Sequence, residues 1–159
     1  MTAFEHAMEF VLSQEGGFVD DPADHGGATK YGISHTAYPD LDIAALTLDE
    51  ARAIYRRDYW NPLRLDEMPE ALAMLAFDAA VNMGKTAAAR QLQAALGVKQ
   101  DGVVGPVTVG AANGAALGDL MIELAARRMN AYGLIPQFAH YGLGWSRRLM
   151  RCFRLAMEQ

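Results

Sequence analysis

Between Pro69 and Gly84 runs a segment, EALAMLAFDAAVNM, that is apolar on nearly every side of a helical wheel. A helix with no polar face cannot lie on a surface, so the remaining chain must close around it. Pro69 suits the start of such a helix and Gly84 its end. Within it, Asp78 and Asn82 stand at i and i+4 and share one face. Polar groups on a buried helix need partners. The pair either ties a neighbouring hairpin down or lines a cleft.

The flanking segments are amphipathic. Thr2-Ala-Phe-Glu5 and Thr47-Leu-Asp-Glu50 are capping boxes, each satisfying orphan N–H groups at a helix start. The first helix places Phe4, Met8, Val11 and Leu12 on one face and stops at Gly16-Gly17. The second runs to about Tyr59 and is stopped by Trp60-Asn61-Pro62. Helices are also expected from about Thr86 to Leu96, after Pro106, over 118–132 and over 145–157. Residues 17–35 have no helical period and are rich in Gly and Asp, which predicts turns and a short hairpin. The expected fold is mainly α, a helical bundle around a central buried helix with one small β-hairpin near residues 17–35. At 159 residues and 52% hydrophobic, the chain can bury an ordinary core. It divides into regions 1–90 and 91–159, expected to pack as one compact unit.

Several classes are excluded or disfavoured. No stretch approaches the ~18 apolar residues of a membrane span. The lone Cys152 can form no intrachain disulfide and belongs to no metal cluster, and it reads as a small buried hydrophobe. The N-terminal segment carries acids where a signal peptide carries bases, so synthesis in the cytoplasm without a signal peptide is expected. Charge is uneven: residues 1–90 hold 15 acids against 7 bases, residues 91–159 hold 4 against 7. Six of the later bases are arginines: Arg127, Arg128, Arg147, Arg148, Arg151 and Arg154. They read either as a solvated face or as a site for an anionic partner.

Chemistry concentrates between Gln14 and Ser34, QEGGFVDDPADHGGATKYGIS. Glu15 falls in the last turn of the first helix, where the dipole disfavours a carboxylate, a hint of function rather than stability. Asp24 follows nine residues later and Thr29 five after that. A hairpin folding back over the helix end can set a carboxylate and a hydroxyl across a cleft from Glu15. Glycosidic bond cleavage asks for two such acidic groups flanking a sugar. Asp24 reads equally as a turn residue beside Gly26-Gly27. The DDPADHGG run lacks the spacing of a calcium loop, and no metal is expected there or at His25. Tyr31, Tyr55, Tyr59 and Trp60 offer aromatic faces, either to a saccharide or to the core; Tyr55 reads as core.

With these residues in view, the chain resembles glycoside hydrolase family 108, lysozyme-like N-acetylmuramidases common among phage and prophage endolysins. The matching pieces are Glu15-Gly16-Gly17, Asp24-His-Gly-Gly-Ala-Thr29-Lys-Tyr-Gly32-Ile33, Tyr55-Arg-Arg-Asp-Tyr-Trp60 and Phe77-Asp78-Ala-Ala-Val-Asn82-Met-Gly84. Residues from about Leu92 onward look like the predicted peptidoglycan-binding region that usually follows. There the pieces are Asp101-Gly102-Val-Val-Gly105-Pro106-Val-Thr108 and Gly144-Trp145-Ser-Arg147.

The resemblance implies hydrolysis of the β-1,4 bond between N-acetylmuramic acid and N-acetylglucosamine, with no cofactor and with Glu15 as the catalytic acid. Asp24 would orient water or stabilise positive charge, with Thr29 assisting. The Glu–Asp–Thr order is similar to the phage lysozyme triad, with an Asp–Thr gap one residue shorter. Tyr31, Tyr59, Trp60, Asp78 and Asn82 are the expected glycan contacts. The implied partner is the peptidoglycan of bacterial walls, reached after a holin-type release and worked on as a monomer, with no nucleic acid involved. Alternatives are a non-enzymatic peptidoglycan-binding module and a lytic transglycosylase. The basic helix 145–157 could also meet anionic membrane or lipopolysaccharide.

Overall fold

The computed structural model describes residues 1–20 and 27–159. Seven α-helices and one two-stranded hairpin are formed among them: α1 (Ala3–Gln14), β1 (Thr29–Lys30), β2 (Ile33–Ser34), α2 (Leu48–Tyr55), α3 (Glu70–Met83), α4 (Lys85–Leu96), α5 (Pro106–Gly114), α6 (Leu117–Gly133) and α7 (Phe138–Met157). Both capping boxes are in place, with Thr2 accepting from the Glu5 N–H and Thr47 from the Glu50 N–H. The last helix begins at Phe138, about two turns earlier than its sequence pattern indicates, and Trp145 packs within it against Tyr132 and Phe138.

The apolar helix α3 is the axis. Every residue from Ala71 to Ala80 is buried, and α1, α4, α6 and α7 all pack against it. One apolar core runs from Phe4 to Ala156 through both halves of the chain, and α4 crosses the position, between 90 and 91, where the sequence divides in composition.

Beyond α2 the chain does not stop at Trp60 but changes pitch. Residues Arg56–Trp60 form a π-helical turn, with the Asn61 N–H donating to the Arg56 carbonyl, followed by a 3-10 turn at Asn61–Leu63. The wider turn holds one more residue than an α turn. Trp60 is thereby swung inward. It is fully buried, edge-on to Phe4 and Phe77 at 5.2 and 5.4 Å, and its indole N–H donates to Asp66 at 3.0 Å. Trp60 is thus a core residue and not a glycan contact, correcting the expectation drawn from its aromatic face.

The hairpin is tight. Thr29 pairs with Ser34 and Lys30 with Ile33, and Val19 bridges to Thr29, which ties the ladder back to the end of α1. Its two-residue turn, Tyr31-Gly32, has φ of +53° and +77°. Positive φ at both central residues is the type I′ geometry that matches strand twist, and it is uncommon for a bulky residue such as Tyr31. The strain is held by the Tyr55 hydroxyl, which donates to the Tyr31 carbonyl at 2.9 Å. A Cβ on Gly32 would run into that hydroxyl and come within 2.9 Å of Glu15 Cγ. Only glycine lets the turn lie this close to the end of α1.

Two stability outcomes follow. Trp60→Phe, which removes the indole hydrogen bond to Asp66 and leaves a void in the core, lowers stability by about 1–3 kcal/mol in urea unfolding. Gly32→Ala costs a similar ~1–3 kcal/mol through overpacking at positive φ, and it shifts the melting curve where Gly16→Ala does not. A Cβ at Gly16 meets nothing within 4 Å among the described residues.

Candidate active site

Glu15 caps α1. Its backbone has turned extended (φ −89°, ψ 146°) while its N–H still donates to the Val11 carbonyl. The helix therefore anchors the residue and the extended ψ turns the chain off toward Gly16 and Gly17. The side chain is about a quarter exposed, at 26%, wedged between the Tyr31-Gly32 turn, Tyr55 and Arg148. Arg148 Nη1 donates to Glu15 Oε1 at 3.3 Å. Burial, and then the neighbouring Glu15 carboxylate, push the Tyr55 hydroxyl above its ordinary range. Tyr55 consequently stays a neutral donor to the hairpin across the working pH span.

Behind Glu15 lies a charge cluster that no local sequence signal announces. Asp78 of α3 is completely buried. Its Oδ1 sits in the fork of Arg148, 2.9 Å from Nε and 2.8 Å from Nη2, and its Oδ2 lies 2.7 Å from Nη2 of Arg128. Arg128, on α6 and 1% exposed, also donates from Nε to the Tyr132 hydroxyl at 2.6 Å. That hydroxyl in turn donates to Asn82 Oδ1 at 2.7 Å. Two carboxylates face two guanidiniums, and the pairs are charge-neutral as a set. Burial alone would pull the Arg148 guanidinium down, but Asp78 and then Glu15 outweigh it, and it is held above its usual value.

Asp78 and Asn82 share a face, yet among the described residues neither ties down the hairpin, and Asp78 does not line a cleft. Asp78 receives Arg128 and Arg148, and Asn82 receives Arg128 and Tyr132, all from the C-terminal helices. Asp78 is thus corrected from a glycan contact to a buried anchor. Tyr31 and Tyr59 are partly exposed, and the Tyr59 ring lies against Tyr55 with centroids 5.5 Å apart. Thr29 lies in β1, with its hydroxyl 3.4 Å from the Gly27 carbonyl that accepts from it. Asp24 and His25 lie outside the described residues. Among the described residues, no three His, Cys, Asp or Glu side chains gather to hold a metal.

The basic C-terminal set is also divided by the fold. Arg147, Arg151 and Arg154 are exposed on α7, whereas Arg148 turns inward and Leu149 is fully buried. The Asp101-Gly102 turn is explained by Gln93, a residue not singled out in the sequence. Buried on α4, its amide donates to Asp101, the Val103 carbonyl and Thr108, and accepts from the Gly102 N–H at 2.8 Å. The only sequence sign of it is a lone glutamine on the inner face of a helix. The Cys152 thiol is raised well above its ordinary value by burial, as befits a core residue.

This arrangement has known counterparts. The family model for glycosyl hydrolase 108 matches residues 8–84. A solved structure of SagA from Brucella abortus superposes with a TM-score of 0.87 at 35% identity, over 98% of this chain and 94% of that one. No curated relative matches the chain. The mainly helical, lysozyme-like architecture expected from the sequence is the one found. Identity at this level over the whole length, together with the family match across Glu15, the hairpin and Asp78, makes the chain a member of glycoside hydrolase family 108, the peptidoglycan-degrading N-acetylmuramidases.

Proposed function

We propose that Glu15 is the general acid of this muramidase. The observation that carries the reading is its placement: a carboxyl at a rigid helix end, partly withdrawn from water by Tyr55 and the Gly32 turn, yet still open to solvent on one side. Glu15 protonates the oxygen between N-acetylmuramic acid and N-acetylglucosamine as the C1–O bond breaks. Water then adds to the oxocarbenium-like centre.

Asp24 is proposed to orient that water or to stabilise the positive charge, and Thr29 to assist. Their support is the chain path, because the ladder at Val19, Thr29 and Ser34 draws both ends of the segment carrying Asp24 back to the end of α1. Tyr31 and Tyr59, partly exposed beside Tyr55, are the proposed glycan-facing rings. Acting as a monomer, the protein would reach the periplasmic wall from the cytoplasm by a holin-type release. Exposed Arg147, Arg151 and Arg154 would meet anionic wall or lipopolysaccharide groups. Salt would then weaken binding to sacculi, and less so in an Arg147→Ser/Arg151→Ser variant.

The central test is Glu15→Gln, which is expected to abolish turbidity loss on permeabilised Gram-negative cells without altering the melting curve. Normal activity in that variant would overturn the assignment. Mass spectrometry of the products checks the reaction type. Hydrated reducing ends are expected, whereas 1,6-anhydro ends, lighter by one water, would mark a transglycosylase.

A further inference from the structure

The geometry points to Arg148 as a positioning residue that holds Oε1 of Glu15 and so assigns the transferable proton to Oε2. The inference rests on Glu15 being the acid. A carboxylic acid carries one proton, and the oxygen that accepts from a guanidinium is the less favourable place for it, since guanidinium nitrogens only donate and the carbonyl-type oxygen is the better acceptor. Arg148 Nη1 occupies Oε1. Among the described residues, Oε2 takes no hydrogen bond. In the chemical step the Oε2–H bond breaks as a bond forms to the leaving glycosidic oxygen, and that oxygen keeps the electron pair of the broken C1–O bond. Glu15 is left ionised, with its new negative charge beside Arg148.

The hold is rigid because Arg148 is itself held. Its Nε and Nη2 grip Asp78, which is pinned in turn by Arg128, and Arg128 by Tyr132 and Asn82. A planar fork with both arms engaged has little freedom to follow a rotating carboxylate. Buried charges of this kind are not explained by stability, because apolar residues of similar volume usually do as well or better. The fit is imperfect as well. Asp78 Oδ2, Arg128 Nη1 and Arg148 Nη2 are buried without an in-line hydrogen bond, three of the four such side-chain atoms among the described residues. The short Arg148 Nη2–Asp78 and Arg128 Nη2–Asp78 contacts are ion pairs out of line. What the cluster does supply is a fixed point, 3.3 Å from the acid, delivered by a helix from the far end of the chain.

Kinetics of four proteins on soluble glycan chains, with melting curves, test this. Arg148→Lys keeps a cation against Asp78 but cannot span both carboxylates. It is expected to melt close to the wild type and to lose roughly ten- to hundredfold in kcat with KM within about twofold. Arg148→Ala is expected to lose at least as much, and guanidinium ion far below denaturing concentration should restore part of it. The same addition should restore nothing in Glu15→Gln and add nothing to the wild type. Wild-type kcat in Arg148→Lys would overturn the inference, whatever the alanine variant does. So would an Arg148→Ala loss that appears in KM or melting alone and ignores guanidinium. An active Glu15→Gln would remove the reading beneath it, while an inactive Glu15→Gln beside fully active Arg148 variants removes only the inference.

Discussion

Asp78, sunk in the middle of the protein and met by two arginines, fixes how the bundle is assembled. Helix α3 is apolar almost all round, so hydrophobic burial alone gives it no preferred rotation about its axis. The Asp78–Asn82 face supplies one. It must turn toward α6 and α7, because only they bring Arg128, Tyr132 and Arg148. Removing one partner from a buried pair costs about 3–5 kcal/mol, a large part of the roughly 5–15 kcal/mol by which domains are stable. A slip of α6 or α7 by one turn would incur that cost. The charge cluster therefore sets register where the apolar surface is permissive.

The site at Glu15 depends on that register. The end of α1 presents backbone carbonyls, a field that opposes a carboxylate, while Arg148 supplies an opposite field from the other side. Between them, the Tyr31-Gly32 turn closes over the residue because glycine permits positive φ and no Cβ stands in the way. Tyr55 joins the two layers. It is buried against the core, and its hydroxyl reaches the turn. The residue at the helix end is thus held by three elements that are themselves tied together, the turn to Tyr55 and Arg148 to Asp78.

How far the sequence revealed this depends on the range of each interaction. Capping boxes, the apolar helix, the Gly-rich hairpin and Glu15 at a helix end are all encoded within a few residues, and they were readable. Trp60 was not, because a π-turn rather than an α-turn carries it inward, and periodicity arguments assume a constant pitch. Asp78 and Asn82 were legible as polar residues needing partners, but not as to which partners. Arg148 lies 133 residues from Glu15, and nothing local distinguishes it from Arg147 or Arg151. Its role emerges only when α7 docks on α3.

That docking changes how the two halves of the chain relate. The family match ends at residue 84, which on its face makes the remainder an accessory. Yet Arg128 and Arg148, which neutralise Asp78, and Tyr132, which holds Arg128, all lie beyond it, and Arg148 also touches Glu15. A chain cut after residue 90 would leave Asp78 as an unpaired charge in an apolar helix and expose the surface of α3 that α6 and α7 cover. Such a fragment has lost the partners of its core rather than a detachable binding module. The likeness to SagA over nearly the whole length of both chains fits this dependence, since the two halves recur together. The C-terminal helices belong to the support of Glu15, and whatever their outer face binds, their inner face is already committed.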